Sequence, residues 1–175
     1  MSPRGGLRVL GIDPGLTRCG YAVVDSARPR PIPAAIGVMA TPVDAELPER
    51  LARLRVDITS LLEEYAPDVV AVERVFFQVN VRTAMSVGQA SGVILASAAR
   101  RGLDVEIYTP TQIKSAVAGD GAASKAQIQK MVQMRLRLSR PPSPADAADA
   151  AAIALCHLAS APLRQRVASA TGRRP

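Results

Sequence analysis

The sequence predicts an α/β fold in which a five-stranded mixed sheet, antiparallel at its first three strands, is flanked by helices. Short apolar runs lie close together at the start, apolar runs then alternate with segments of helical periodicity, and the chain ends in helical segments. A strand–helix–strand connection implies parallel pairing with a right-handed crossover. At 175 residues, of which 48% are hydrophobic, we expect one domain with a sizeable core.

The first three predicted strands are apolar runs at residues 7–13, 19–25 and 34–40. Pro14 and Gly15 stand between the first two runs and are a strong turn signal. Because the three runs follow one another so closely, we expect them to form an antiparallel meander.

A helix is expected next, at residues 48–65, where leucine, isoleucine and tyrosine recur at helical spacing. A proline ends this helix, and residues 68–73 form a strand of valine and alanine of the kind that is buried on both faces. A second long helix is predicted at residues 81–100, stopped by Gly102, and a fifth strand at residues 105–108. The order of the elements so far is therefore βββαβαβ.

The last third of the sequence is predicted to be helical. One helix begins near Pro110, another covers residues 124–136 after a glycine-bearing loop at residues 119–123, and the prolines of residues 141–144 interrupt the chain. A last helix follows and is expected to end near Ser160.

Residues 7–160 are expected to form the folded domain, between a flexible N-terminus of residues 1–6 and a basic, disordered tail of residues 161–175. No apolar run is long enough to cross a membrane, and the start of the chain lacks the apolar segment of a signal peptide. Only Cys19 and Cys156 are present, which is typical of a reducing compartment. We therefore expect a cytoplasmic protein with no membrane association.

The net charge of +7 is confined to the last third of the sequence. Residues 1–109 carry 12 basic and 12 acidic residues, whereas residues 110–175 carry 10 basic and 3 acidic ones. A basic sector favours a polyanionic partner such as nucleic acid, although a solvated face and a charged tail would give the same count. Charge alone leaves the partner open.

Two acidic residues end predicted strands. Asp13 closes the first strand and Glu73 closes the fourth. If these strands are parallel neighbours, both carboxylates leave the sheet at the same edge, where open α/β sheets bind ligands. Each acid taken alone could equally be the first solvated residue after a strand.

Two further acids, Asp146 and Asp149, stand three residues apart on the last predicted helix and share one face of it. Their neighbours are almost all alanine, which indicates that the helix packs closely and that its charges point at a shared target. The structural alternative is a helix start in which Ser143 is the N-cap, Pro144 the first helical residue and Asp146 part of a capping box.

Four acids that converge from two strand ends and one helix would raise one another's pKa unless a cation were bound. Mg²⁺ prefers carboxylate, water and phosphate oxygens as ligands. Two metal ions about 3.5–4 Å apart would activate a water and stabilise the leaving oxygen of a phosphodiester. The four acids therefore indicate metal-assisted phosphodiester hydrolysis.

Five segments of the sequence carry a resemblance to a known family: GIDPGLTRCGY at residues 11–21, AVERVF at 71–76, GQASG at 88–92, KAQIQKMV at 125–132 and ADAADA at 145–150. In order and spacing they resemble the RuvC family of Holliday-junction resolvases, over about residues 7–160. The first segment is weakly specific, because actin-like sugar and acetate kinases have a similar strand and turn. The five segments together are highly specific.

The resemblance implies an RNase H-like fold and a homodimer that makes paired symmetric nicks in four-way DNA junctions, in homologous recombination and DNA repair. It implies two Mg²⁺ ions per active site, which Mn²⁺ can replace, and cooperation with the RuvA–RuvB branch-migration complex. By matching position, the catalytic and metal-binding acids are Asp13, Glu73, Asp146 and Asp149.

Several DNA contacts are also implied by position. Phe76 matches the family's DNA-wedging aromatic, although it could be tucked under the following helix, and Lys114 and Lys125 match lysines near the scissile phosphate. Arg82 follows in the loop before the second long helix and is a candidate phosphate contact. Ser91 departs from the family pattern, where many members have a basic residue, so no phosphate contact is assigned to it.

Three other functions remain as alternatives. An actin-like kinase would need a second domain and a glycine-rich adenosine-binding segment, and the sequence has neither. A YqgF-type nuclease shares the first segment but lacks the combination of the segment at residues 125–132 with an acidic helix. A non-catalytic junction-binding module would gain by losing the four acids from a phosphate-binding surface.

The second long helix carries a stripe of small residues at four-residue spacing, namely Ala84, Gly88, Gly92 and Ala96. Such a stripe lets another element approach closely. We expect the helix to lie with this stripe on its own sheet, and we therefore do not place the dimer contact there.

His157 is the only histidine, and it lies eight residues beyond Asp149. Along a helix that rises about 1.5 Å per residue, this separation is about 12 Å. We therefore interpret His157 as a core or surface residue rather than a general base, and Cys156 as a packing residue.

Overall fold

The computed structural model describes residues 6–27, 29–75 and 81–171, with the side chains of these ranges except at residues 81, 82 and 162–171. In chain order the elements are β1 (Arg8–Asp13), β2 (Arg18–Asp25), β3 (Ile32–Ala40), α1 (Leu47–Tyr65), β4 (Val69–Glu73), α2 (Val81–Ala99), β5 (Asp104–Tyr108), α3 (Pro110–Ala118), α4 (Lys125–Leu136) and α5 (Ala145–Thr171).

The five strands form one mixed sheet with the spatial order β3-β2-β1-β4-β5. The pairs β1–β2 and β2–β3 are antiparallel, whereas β1–β4 and β4–β5 are parallel. The predicted fold class is therefore confirmed, including the antiparallel meander of the first three strands. The parallel pairs require crossovers, and α1 and α2 supply them.

Helices cover both faces of the sheet, and alternate residues of each strand enter different cores. Leu10 and Ile12 of β1 are fully buried in the core that includes residues of α1 and α2. Val9 is fully buried in the opposite core, where α3, α4 and α5 contribute. The central strand β1 is thus buried on both faces, which explains its nearly continuous apolar run.

The expected position of the small-residue stripe of α2 is wrong. Of its four members only Ala84 is buried, and a side chain built at Gly88 or Gly92 would meet no atom within 4 Å. The buried face of α2 is instead formed by residues that include Ala90 and Ile94. Four-residue spacing identifies a helix face, but larger apolar side chains on another face bury more surface and decide which one meets the sheet.

The last helix is longer than expected. It does not end near Ser160, because α5 continues to Thr171. The added segment, residues 161–171, carries three alanines and two arginines, which are strong helix formers. Among the helices of the described ranges, neither α5 nor any other is apolar enough over a sufficient length to cross a membrane.

Candidate active site

Asp13 and Glu73 lie side by side at one edge of the sheet. β1 and β4 are parallel neighbours in which Ile12 pairs with Val72, so the two acids occupy the next position of each strand. Both side chains are only half-buried, since each is the last residue of its strand. The prediction that the two carboxylates leave the sheet at the same edge is confirmed.

The surroundings of this edge disfavour the charged forms of Asp13 and Glu73. The pKa of Asp13 is raised to about 8, first by burial and then by the negative charges of the other three acids. Burial and the charge of Asp149 also raise the pKa of Glu73, while two nearby lysines oppose this shift. The four acids therefore share one electrostatic environment, as the sequence predicted.

Two glycines allow α5 to lie directly on the sheet beside this edge. A Cβ atom at Gly11 of β1 would collide with the backbone carbonyl oxygen of Ala150, and one at Gly20 of β2 would collide with the carbonyl oxygen of Asp146. Gly20 is also the β2 residue opposite Asp13. The absence of two side chains therefore sets how closely the acidic helix approaches Asp13.

The two acids of α5 form ion pairs. The Asp146 carboxylate lies 2.7 Å from Nη2 of Arg18, and the Asp149 carboxylate lies 3.1 Å from Nζ of Lys125. The capping interpretation is wrong in one respect, because α5 begins at Ala145 and Pro144 therefore precedes the helix rather than starting it. Asp146 does stand in the first turn, where the helix dipole favours an ionised carboxylate.

A cleft brings three of the four acids together with two of the predicted lysines, and Asp146 is not among the residues that line it. Asp13, Glu73, Asp149, Lys114 and Lys125 all line it. Lys125 starts α4 directly after the N-cap Ser124, whose hydroxyl accepts a hydrogen bond from the backbone of Gln127. A positive charge at a helix N-terminus opposes the helix dipole, so the charge of Lys125 does not stabilise α4. Its side chain instead lines the cleft that holds the acids.

Two predicted DNA contacts cannot be placed by side chain. Phe76 lies outside the described residues. The backbone of Arg82 belongs to the first turn of α2 rather than to the preceding loop, and its side chain also lies outside the described residues. Their roles stay predictions.

Cys156 is a packing residue of the core, as predicted, and of the core and surface positions left open for His157 the structure shows the core one. His157 is buried, and its Nδ1 lies 2.9 Å from the hydroxyl of Tyr108. Burial lowers the pKa of His157, so the neutral ring is favoured, and it shares a buried hydrogen bond with the Tyr108 hydroxyl. Burial raises the pKa of the Cys156 thiol to about 11, which leaves it an unreactive packing group.

The donor set of this edge fits a hard divalent cation. Within the described ranges, no three His, Cys, Asp or Glu side chains form a ready-made metal cage. The carboxylates of Asp146 and Asp149 are instead paired with Arg18 and Lys125, respectively. The negative charges of Glu73, Asp146 and Asp149 all act on Asp13, and carboxylate oxygens are the ligands that Mg²⁺ prefers.

Three residues with roles at this site were not assigned from the sequence, namely Gly11, Gly20 and Arg18. Side chains on a strand alternate between faces, so Arg18 and Gly20 share the face that α5 covers. The sequence did contain a signal, because Arg18 stands two positions before Gly20, and Gly20 lies opposite Asp13. This signal becomes interpretable only once α5 is known to cross β2.

Comparisons with known proteins agree with this geometry. The family described as "Crossover junction endodeoxyribonuclease RuvC" matches residues 9–157. Proteins of that description from Salinispora arenicola and Streptomyces avermitilis are 54% and 53% identical to this chain; the alignments cover 95% and 94% of the chain and 96% and 94% of the relatives. The solved structure of Thermus thermophilus RuvC in complex with a Holliday junction substrate is 36% identical, with a TM-score of 0.86 over 90% of this chain and 96% of that one.

Proposed function

Because the chain belongs to the RuvC family of crossover junction endodeoxyribonucleases, we infer that it is an endonuclease that resolves four-way DNA junctions. It hydrolyses phosphodiester bonds by paired symmetric nicks, in homologous recombination and DNA repair. The observation that carries this function is the sheet edge at which Asp13 and Glu73 meet the acidic face of α5. The kinase alternative is excluded by a family match over most of the chain.

A divalent metal is the general requirement of this family, and we propose two Mg²⁺ ions per active site, replaceable by Mn²⁺. The residues that would hold them are Asp13, Glu73, Asp146 and Asp149. The chemistry that such ions supply is polarisation of the phosphate and activation of the attacking water. Support comes from the raised pKa of Asp13 and Glu73, since clustered carboxylates that disfavour their own charge gain most from a cation.

The two lysines of the cleft are suited to hold the scissile phosphate. Lys114 is half-buried and Lys125 is exposed, and both line the cleft with the acids. An ammonium group donates to phosphate oxygens as a point charge, without demanding one orientation. We propose that both lysines position the phosphate against the carboxylates and offset its negative charge. A non-catalytic binding module would have no use for the acids at this place.

Phe76 follows Glu73 by three residues, and we propose that its ring stacks on an unpaired base at the junction centre. Phe76→Ala should then lower junction cleavage strongly and shift the melting temperature little. A buried phenylalanine would instead cost about 3–5 kcal/mol of stability when cut to alanine. Cleavage assays and thermal melts on the same preparation separate the two, and a large loss of melting temperature with normal activity would make Phe76 a core residue.

Arg82 is proposed to contact a backbone phosphate from the first turn of α2. The N-terminus of a helix attracts phosphate through its free N–H groups and its dipole, so a cation there adds to an existing attraction. Arg82 would raise the affinity for DNA of any sequence to the same extent, because phosphates carry no sequence information.

We propose that the active form is a homodimer. The described chain has one set of four acids, whereas two symmetric nicks need two active sites, and a two-fold protein matches a two-fold junction. Cooperation with the RuvA–RuvB branch-migration complex is proposed from the family resemblance. A DNA substrate together with two buried free cysteines supports the reducing cytoplasm as the compartment.

A labelled synthetic four-way junction and a linear duplex of the same sequence test the function directly. With Mg²⁺ the protein should nick the junction at paired positions on opposing strands, and with EDTA it should bind without cutting. Equal cutting of the linear duplex would contradict junction selectivity. Light scattering with and without junction DNA tests the dimer, and a monomer that binds junctions one to one would contradict the symmetric mechanism.

A further inference from the structure

Arg18 is a cation at the active-site edge that none of the roles above uses. It is the first residue of β2, two positions before Gly20, and Gly20 pairs with Asp13. Alternate residues of a strand share a face, and Gly20 contacts the Asp146 backbone, so Arg18 lies on the face covered by the start of α5. Its side chain is about half exposed, at 49%. Arg18 therefore lies at the rim of the acidic site and is open to solvent.

The only ion pair of Arg18 among the described residues is with a proposed metal ligand. Nη2 of Arg18 lies 2.7 Å from Oδ2 of Asp146. This arrangement parallels Lys125, which pairs with Asp149 on the next turn of the same helix. Asp146 and Asp149 of α5 thus each have one cationic partner, and a metal ion held by either acid would compete with that partner for the carboxylate.

The pair contributes little to folding. Both side chains are substantially exposed, at 49% and 33%, and exposed ion pairs stabilise proteins only weakly. A guanidinium, by contrast, suits phosphate well, because its planar fork donates two parallel hydrogen bonds to two oxygens. The weak ion pair with Asp146 therefore does not account for an arginine at this position, whereas binding of a phosphate does.

We propose that Arg18 is a further substrate-binding residue, held by Asp146 in the metal-free protein and released to a DNA backbone phosphate when a divalent cation takes Asp146. Before the cation arrives, Arg18 offsets the charge of Asp146. After release, it adds one phosphate contact beside the scissile bond. The proposal rests on the function proposed above.

The DNA part is tested by the salt dependence of junction binding for wild type and Arg18→Gln, measured by fluorescence anisotropy. Each phosphate contact contributes about −0.9 to the slope of log K against log salt. In Ca²⁺, with the junction verified as uncut, Arg18→Gln should lose about one such contact relative to wild type. In EDTA the two proteins should have the same slope, since Asp146 then holds Arg18. Arg18→Lys should restore most of the Ca²⁺ slope.

The competition part is tested without DNA or activity, by titrating Mn²⁺ into each protein and following binding by calorimetry. Arg18→Gln should bind Mn²⁺ about two- to fivefold more tightly than wild type, which is the worth of an exposed ion pair expressed as an affinity ratio. Melting curves in EDTA verify that the variant is folded.

Arg101→Gln is the matched control, because it removes the same charge from an ion pair with Glu63 just before β5, at the opposite edge of the sheet. It should change neither the slope nor Mn²⁺ affinity. A slope in Ca²⁺ equal to that of wild type, an Mn²⁺ affinity equal to that of wild type, or an equal change in the control overturns the proposal. A wild-type protein that binds no junction contradicts the proposed function itself, whereas junction binding that Arg18→Gln leaves unaltered overturns Arg18 alone.

Discussion

Charged residues meet at both edges of the parallel part of the sheet, and they are paired in different ways. At the amino-terminal edge, Arg8 donates two hydrogen bonds to the carboxylate of Asp25, at 2.6 and 2.7 Å. The same guanidinium donates to the carbonyl oxygen of Tyr65, and the Arg8 backbone N–H donates to Asp68 at 2.7 Å. Opposite charges compensate one another there within the protein.

At the carboxyl-terminal edge the balance is different. Asp13 and Glu73 form no salt bridge with any described residue, and burial and like charges raise the pKa of both. The acids of α5 have cation partners, but these partners are exposed or half-exposed and can move away.

The comparison separates a structural charge cluster from a functional one. Both carboxylates of the amino-terminal cluster, Asp25 and Asp68, accept hydrogen bonds from Arg8. The carboxylates of the carboxyl-terminal cluster are under-compensated, so a bound cation can supply the missing positive charge. An acidic cluster without compensating positive charges lowers the stability of the folded protein, and it binds a cation more favourably for that reason.

The largest expected effect is loss of cleavage in Asp13→Asn. Removing one preorganised electrostatic group costs about 10²–10³-fold in rate or more, while junction binding should persist because negative charge is removed from a phosphate-binding surface. Asp104→Asn is the control, since Asp104 starts β5 at the opposite edge. Near wild-type nicking by Asp13→Asn would sink the site assignment.

The same variant sharpens the comparison through stability. The pKa of Asp13 is raised, so the ionised form is disfavoured in the folded protein at neutral pH. Asp13→Asn should therefore melt at the same or a higher temperature than wild type in EDTA. A clear drop would show that the carboxyl-terminal edge is compensated after all.

Gly20→Ala should lower both stability and cleavage. Its Cβ would collide with the carbonyl oxygen of Asp146, so α5 must shift, and overpacking costs about 1–3 kcal/mol. Gly92→Ala is the matched control for stability, because its Cβ meets nothing within 4 Å and alanine favours a helix over glycine by up to about 1 kcal/mol. Urea unfolding measures both, and equal stabilities for the two variants would contradict the close approach of α5.

Arg8→Gln should lower the free energy of unfolding by about 1–3 kcal/mol, the range for hydrogen bonds to charged groups left without a partner. Cleavage by the folded variant should stay at the wild-type rate, since Arg8 lies at the edge opposite the acids. A cleavage defect at a temperature where the variant is fully folded would break the division between the two edges.

The smallest expected effect is a pH dependence from His157, which belongs to neither edge. Burial lowers the pKa of His157 in the folded state. Below the ordinary histidine pKa the unfolded chain therefore binds more protons than the folded protein, and the free energy of unfolding decreases as the pH decreases. The loss is at most about 1.4 kcal/mol per pH unit. Urea unfolding at pH 7.5 and 5.5 should show a larger drop for wild type than for His157→Gln, and equal drops would contradict the assignment.

Much of the sheet and half of the site followed from the sequence. Apolar runs and crossover rules located β1 and β4 and placed Asp13 and Glu73 at one edge, because strand direction and side-chain alternation are local properties that few arrangements satisfy. The helical pair Asp146 and Asp149 was equally readable, since residues three apart share a helix face.

The rest depended on distances between elements. The approach of α5 to Gly20, the pairing of Arg18 with Asp146 and the outward direction of Gly88 on α2 each involve residues far apart in the chain. A sequence determines which faces are apolar and which residues share them, because those follow from fixed helical and strand periods. Which faces meet, and how closely, is decided by the packing of all elements together, where large side chains compete for burial and small ones set the closest approach.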